Sequence, residues 1–483
     1  MADTVDFYKE ARTVLYENLY IPSFNLLHIE EFQMKQSINE HTELNFSGIV
    51  PEGAEGSMLY SSTVGCQVEV YCMFGENKKI MFRGMVTEVR VKPKGGLEFL
   101  TVKALSNTCQ MDVLKVSQSY QNTGETYKEL LKGVVSRTSK AKGIYGLEAD
   151  RKTGELILQY KETDWGFIKR LASHFNLGLY PEFTYENAGF YFGQQEGEEA
   201  EEINIAEYSI SKDIREYQLD SQNFITGAKE KNYITYEVKS DKIKKLGDKI
   251  TFLGEQYYIK HAVYEMVNGI VMGTYRLCKK DGMKYRKQYN YSIVGISLSG
   301  SVVNIIRDKV QIQLDLDNKA NSGYDFPYST ISASPDGSGW YCMPEKGDKV
   351  RVQFPNEKAM DCYAVSSVSG YTPQAGDTTD KMSDPNIKYL RTAAGMELIL
   401  TPEGVLVNAG DGQAMCVLDN EGNVSINAAK SISVSAEENV SITAVQKLVL
   451  YAGKSLEING VSGSVLLKED GNTIISGEYV LEN

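Results

Sequence analysis

The chain has 483 residues, of which 42% are hydrophobic and 24% charged, with a formal net charge of −13. That length exceeds what one ordinary core serves and implies three or more domains, while no uninterrupted apolar stretch approaches the roughly 20 residues that span a bilayer. The acidic balance, with no basic stripe carrying interleaved aromatics, excludes the footprint that holds a phosphate backbone, so no nucleic-acid partner is expected.

The opening residues carry Asp3, Asp6, Glu10 and Glu17 and lack a basic segment followed by an apolar one. The expectation is a chain made in the cytoplasm without a signal peptide. Residues 1–120 then read mostly as strands: 44–49, 68–72 and 86–91 approach period-two alternation, with Gly-rich breaks at 75–77 and 94–96. Two helices interrupt this pattern. Over 125–140 an apolar stripe is formed by Tyr127, Leu130, Leu131, Val134 and Val135; over 164–175 it is formed by Trp165, Ile168, Leu171, Ala172 and Phe175, with Thr163 or Asp164 placed to cap the first turn. His174 has no Cys, His or carboxylate at metal-ligand spacing, so it reads as a packing residue. The acidic run 196–202 reads as a solvated loop tip.

Strand character returns over 200–290, and Gly247-Asp248 leads into a strand just as Gly347-Asp348 does a hundred residues later. Residues 1–290 are therefore taken as a hub of two barrel-like β subdomains with a helical insertion at about 120–200. Within 291–370, five short strands are expected at 295–303, 310–316, 339–343, 350–354 and 364–368, which suits a small barrel of OB type. A linker follows over 371–390, and 391–483 is the last part. The seven cysteines are odd in number and never form a C-x-x-C pair, so buried thiols are expected rather than a disulfide framework or a zinc site.

From Cys416 onward the sequence repeats every eight residues. One register holds Cys416, Val424, Ile432, Val440, Leu448 and Leu456; a second, two residues later, holds Leu418, Ile426, Val434, Ile442, Leu450 and Ile458. All are apolar, and the side chain between each pair points to the other face. A third register is small (Ala428, Ala436, Ala444, Ala452, Gly460), which suits a tight corner. A lone strand with two inward side chains cannot offset the entropy of ordering eight residues, at roughly 1–2 kcal/mol each. A single-chain parallel β-helix is one solution, but its coils normally run to about twenty residues or more, whereas eight make one strand and one corner, so a trimer is favoured over it. Three chains, each forming one side of a triangular prism, close the coil and put the twelve paired residues on its axis. With layers about 4.8 Å apart, ten of them make a rod on the order of 50 Å long.

In this order the parts resemble the VgrG spike proteins of type VI secretion and the hub and puncturing proteins of contractile phage tails. The segment Phe82-Arg83-Gly84-Met85-Val86-Thr87-Glu88-Val89 resembles a strand of the family's first hub barrel. Residues 162–171 are similar to its helix opening, an acidic residue and an aromatic before Phe-Leu-x-Arg-Leu, with Ile168 at the Leu position. Residues 343–352 resemble the Pro-x-x-Gly-Asp-x-Val-x-Val of its OB domain, and Ala393-Ala394-Gly395-Met396-Glu397-Leu398 resembles the start of its needle. The resemblance implies a mainly β homotrimer ending in a triple-stranded intertwined β-helix. It further implies that the hub meets an inner tube protein and baseplate proteins, that effectors are carried, and that the particle drives the needle into a target envelope when fired. Family needles that end in a His-x-His metal pair have no counterpart here, since His261 is the last histidine. The tip is thus expected to be metal-free or covered by a separate, PAAR-like cap protein.

No catalytic residues, cofactor or metal ligands are expected: G-x-x-x-x-G-K-[ST], G-x-S-x-G and H-E-x-x-H do not occur. Asp315-Leu316-Asp317-Asn318 imitates the start of a calcium loop but lacks the later Gly and Glu, so it reads as a turn. The alternative to a spike is a trimeric β-helical tail fibre or polysaccharide-degrading adhesin, whose carboxylates would assemble from distant strands.

Overall fold

The structure is a computed structural model that describes residues 13–53, 63–194, 201–202, 205, 207–368, 370, 382–410 and 412–479. The first twelve residues, most of the acidic run and the first part of the linker lie outside the described residues. The chain divides into two units, Met1–Gly370 and Tyr371–Asn483.

In the first unit, alternation builds strands with one face inward. In Glu43–Val50, Leu44, Phe46 and Val50 are buried while their neighbours stay half-exposed. This strand sits between His28–Ser37 and Leu97–Ser106, and Asn77–Lys94 and Gln67–Phe74 extend the sheet beyond. On its other side His28–Ser37 pairs with Glu255–Val267, with Gln36 opposite Ala262. The two β-rich runs of the hub thereby join into one 12-stranded sheet over a shared core that includes Phe46, Phe82, Tyr264 and Tyr275. Gly84 is required by close approach: a Cβ there would lie 2.1 Å from the Leu105 carbonyl oxygen.

Between the two halves of that sheet lies an α/β insertion. Helix α1, Tyr127–Val135, opens with Thr126 accepting from the Glu129 amide at 3.2 Å, while the Glu129 carboxylate accepts from the Thr126 amide at 2.9 Å. It ends five residues before the periodicity suggests, because the Ser136 hydroxyl donates to the Gly133 carbonyl and Lys140 turns to φ +55°. Helix α2, Asp164–Ser173, is capped by Thr163, whose hydroxyl oxygen accepts from the Gly166 amide at 3.1 Å. Its Arg170 makes a two-pronged bridge to Glu162 at 3.0 and 2.9 Å and also donates to the Leu158 carbonyl. Trp165 is buried and donates to the Asn39 carbonyl at 3.1 Å, pinning the insertion to the sheet.

Residues 297–368 form a closed five-stranded barrel of Ser297–Ile306, Lys309–Leu314, Asp325–Ser329, Lys349–Gln353 and Tyr363–Val368. The strand expected at 339–343 is not one; Asp325–Ser329, which buries Phe326, takes its place. The reason is local. Ser332 to Trp340 fold back on themselves around Gly337 and Gly339, both at positive φ, and leave Trp340 and Tyr341 facing solvent with no core to line.

The two Gly-Asp turns share one geometry. Asp248 accepts from the Lys245 amide at 2.8 Å and Asp348 from the Glu345 amide at 2.9 Å, each beside a glycine at positive φ, and each turn launches a strand. Barrel and insertion are joined by Asp317, which accepts from the Ser119 amide at 2.7 Å and from the Ser119 hydroxyl and the Asn321 amide group. Burial pushes its carboxyl upward. The calcium-loop look-alike is thus a structural turn, with Asp315 bridged to Lys349 at 3.0 Å. All seven thiols are free; only Cys72, Cys278 and Cys362 are buried, and Cys342 is exposed.

The second unit contains two antiparallel meanders. The first comprises Lys388–Arg391, Glu397–Thr401, Gly404–Ala409, Ala414–Asp419 and Val424–Ala428; the second comprises Ser455–Asn459, Gly463–Lys468 and Thr473–Gly477. Between them, residues 429–454 form no strand within the chain.

Candidate functional site

The strand registers of the second unit sort its side chains onto two faces. In the first meander, Leu390 lies opposite Leu398, Leu398 opposite Val407, Leu400 opposite Val405, Val405 opposite Leu418 and Val407 opposite Cys416; Cys416 and Leu418 in turn face Ile426 and Val424. One face therefore carries an unbroken ladder of nine apolar residues from Leu390 to Ile426. Each reversal has its own cause. Gly395 at φ +82° turns the first hairpin, and Asp419 accepts from the amides of Glu421 and Asn423 to turn the last, with Gly422 at φ +90°.

This ladder is open. Val424 is 65% and Ile426 60% exposed, and no hydrophobic residue after Ala364 is buried among the described residues. A three- to five-stranded sheet with an uncovered apolar face lacks the second layer that a stable domain requires.

The twelve repeat positions fall into three sets. Cys416, Leu418, Val424 and Ile426 meet on the face of the first meander. Ile432, Val434, Val440, Ile442, Leu448 and Leu450 lie in the strandless stretch, each more than half exposed. Leu456 and Ile458 face Leu467 and Val465 in the second meander. Sequence reasoning missed the upstream part of the ladder, Leu390, Leu398, Leu400, Val405 and Val407. The signal was present as period-two alternation between Gly395 and Gly410, but the segment lies outside the eight-residue frame.

The first unit holds a cleft of about 660 Å³ between the insertion and the large sheet, lined by Tyr180, Tyr191, Tyr258, Lys249, Lys280 and Lys284 among others. Lys284 is bridged to Asp281 at 3.0 Å. His174 sits in α1–α2 packing, with its Nδ1 3.1 Å from the Tyr127 hydroxyl; burial, with Arg170 and Lys287 nearby, lowers its pKa to about 3. Among the described residues no group of three or more His, Cys, Asp or Glu side chains converges, and no helix is long and apolar enough to cross a membrane.

A hub sheet with an α/β insertion, a closed five-stranded barrel and a β-rich distal unit is the fold of the hub-and-spike proteins of type VI secretion and phage tails. In particular, the chain is similar to the Escherichia coli c3393 protein, described as a component of the type VI secretion system with structural similarity to the T4 tail proteins gp27 and gp5. The TM-score is 0.51 at 12% identity, over 73% of this chain and 99% of that one. It is also similar to a chain of the half-lidded Francisella PdpA–VgrG complex, with a TM-score of 0.55 at 9% identity, over 87% of this chain and 89% of that one. No family model matches the sequence. No curated protein matches it either.

Proposed function

We propose that this chain is the hub and spike subunit of a contractile injection system and works as a homotrimer. The observation that carries the reading is the apolar ladder from Leu390 to Ile426, continued by the repeat to Ile458, with no cover among the described residues of its own chain. Two further copies supply that cover at no cost in new sequence. An intertwined β-helix then buries the twelve repeat residues along its axis, at about 1.5–3 kcal/mol per side chain before entropy is subtracted.

In this reading residues 1–290 form the hub that caps the inner tube within the baseplate, and 297–368 form an OB-type barrel. A rod of interlocked strands with a dry axis resists bending, which suits a part driven through an envelope. Its role is structural rather than enzymatic, and the subunit is made in the cytoplasm and expelled on firing. The similarity to a chain of the PdpA–VgrG complex supports a spike that engages tip or effector proteins. Native mass spectrometry of the full chain at micromolar concentration tests the reading: a heat-resistant trimer is expected, and a monomer overturns it.

A further inference from the structure

After its last pair the chain does not simply continue the repeat. Ser455–Asn459 holds the last repeat pair, Leu456 and Ile458, and is at the same time the first strand of the second meander. Registers then assign every later side chain to a face. Leu456 lies opposite Leu467, Ile458 opposite Val465, Val465 opposite Ile475 and Leu467 opposite Thr473. One face therefore reads Leu456, Ile458, Val465, Leu467, Thr473, Ile475. The other is mainly polar: Ser455, Glu457, Asn459, Ser464, Lys468 and Ser476, interrupted by Leu466 and Ile474.

The connections are built to hold this shape. Gly460 donates to the Gly463 carbonyl at 2.7 Å across a short turn, and the Asn472 amide donates to Asp470 at 3.0 Å beside Gly471 at φ +83°. The apolar face is uncovered, with Ile458 at 55% and Ile475 at 57% exposure. A three-stranded sheet gains independent stability only when such a face is packed.

We infer that the meander 455–477 is a further trimer contact: three copies pack their apolar faces together and extend the axial core beyond the repeat, with no other protein as the cover. Register continuity selects this occupant. The face that includes Leu467 and Ile475 is the same face, through the same strand, that presents Leu456 and Ile458 to the axis, so whatever covers the repeat also covers the meander. Three strands per chain give nine in the packed assembly. This inference rests on the trimer proposed above.

The test places single cysteines at adjacent positions in one strand of the full-length protein. In Ile474→Cys and Ile475→Cys, maleimide labelling is followed by peptide mass spectrometry, and the oligomer is weighed in the same sample. In a single chain Ile475 is the more exposed of the two, 57% against 39%. Packing of the three faces inverts that order: a thiol buried in apolar surroundings is less often ionised, so position 475 labels about tenfold or more slowly than 474. Leu467→Cys, on the same face in the neighbouring strand, follows 475. A trimer in which 475 and 467 label as fast as 474 overturns the packed meander and leaves the spike standing, with another protein as the cover. A monomer overturns both.

Discussion

The two units of this chain use the same β alternation and end in opposite states. In Met1–Gly370, Phe46, Phe82, Tyr264 and Phe326 are buried to 2% exposure or less, because each sheet finds its second layer within the chain. In Tyr371–Asn483 residues with equally apolar side chains, such as Val424, Ile442 and Ile475, remain more than half exposed. Alternation sets which face is apolar but not who covers it. The cover is a matter of topology: the hub folds strands more than 220 residues apart against one another, as in Ala262 opposite Gln36, whereas the distal meanders pair only with their neighbours.

The contrast can be broken most severely at the shaft. Ile442→Asp puts three carboxylates on the axis of the proposed trimer, and the expected outcome is loss of the assembled needle while the hub keeps its near-ultraviolet circular dichroism. A retained trimer sinks the axial placement of the repeat. Next in size is Trp165→Ala in the first unit, which removes a packed ring and its hydrogen bond to Asn39. It should lower hub stability by about 3–5 kcal/mol, in denaturant titrations that do not shift with protein concentration, whereas unfolding of the distal unit should shift.

A third experiment uses pH. His174 stays neutral in the fold down to about pH 3 but takes up a proton near pH 6.5 once unfolded. The unfolded chain then binds more protons, so hub stability falls as pH drops from 6.5 towards 3, by about 1.4 kcal/mol per unit once well below 6.5. In His174→Gln the slope between pH 6.5 and 5 should flatten; an unchanged slope would show that another group governs it. The smallest effect is expected from Thr126→Ala, which removes the cap of α1 at a cost of about 1 kcal/mol by thermal unfolding, again confined to the first unit.

Much of the hub was legible because its signals are local. The stripes of α1 and α2, the Thr163 cap and the Gly-Asp turns each rest on residues within a few positions of one another, and Asp248 and Asp348 bond their own turns. The barrel strand at 325–329 was not legible: Pro327 and two polar residues leave only Phe326 and Tyr328 to mark it, while the more apolar Trp340 and Tyr341 lie on an exposed turn. The repeat was legible as a face but not as a fold. Its period reveals which residues belong together, yet Asp419 and Gly422 reverse the chain after the first repeat and Gly460 after the last, and those reversals make meanders at both ends. The upstream ladder from Leu390 to Val407 escaped because it keeps the alternation without keeping the period.

The barrel core also contains Leu156 and Leu158, each 1% exposed, supplied by the insertion strand far upstream. During synthesis these two leucines emerge well over a hundred residues before Phe354 and Ala364, the last core residues that enclose them. Until then the nascent chain carries a sticky, unsatisfied strand, and closing the barrel waits on a long-range loop whose entropy must be spent first. Folding of the first unit should therefore be slow and late, completed only as its final barrel strand leaves the ribosome. A ribosome-bound chain stopped with Tyr363–Val368 still inside the exit tunnel should remain sensitive to protease at 156–158, and one long enough for that strand to have emerged should not.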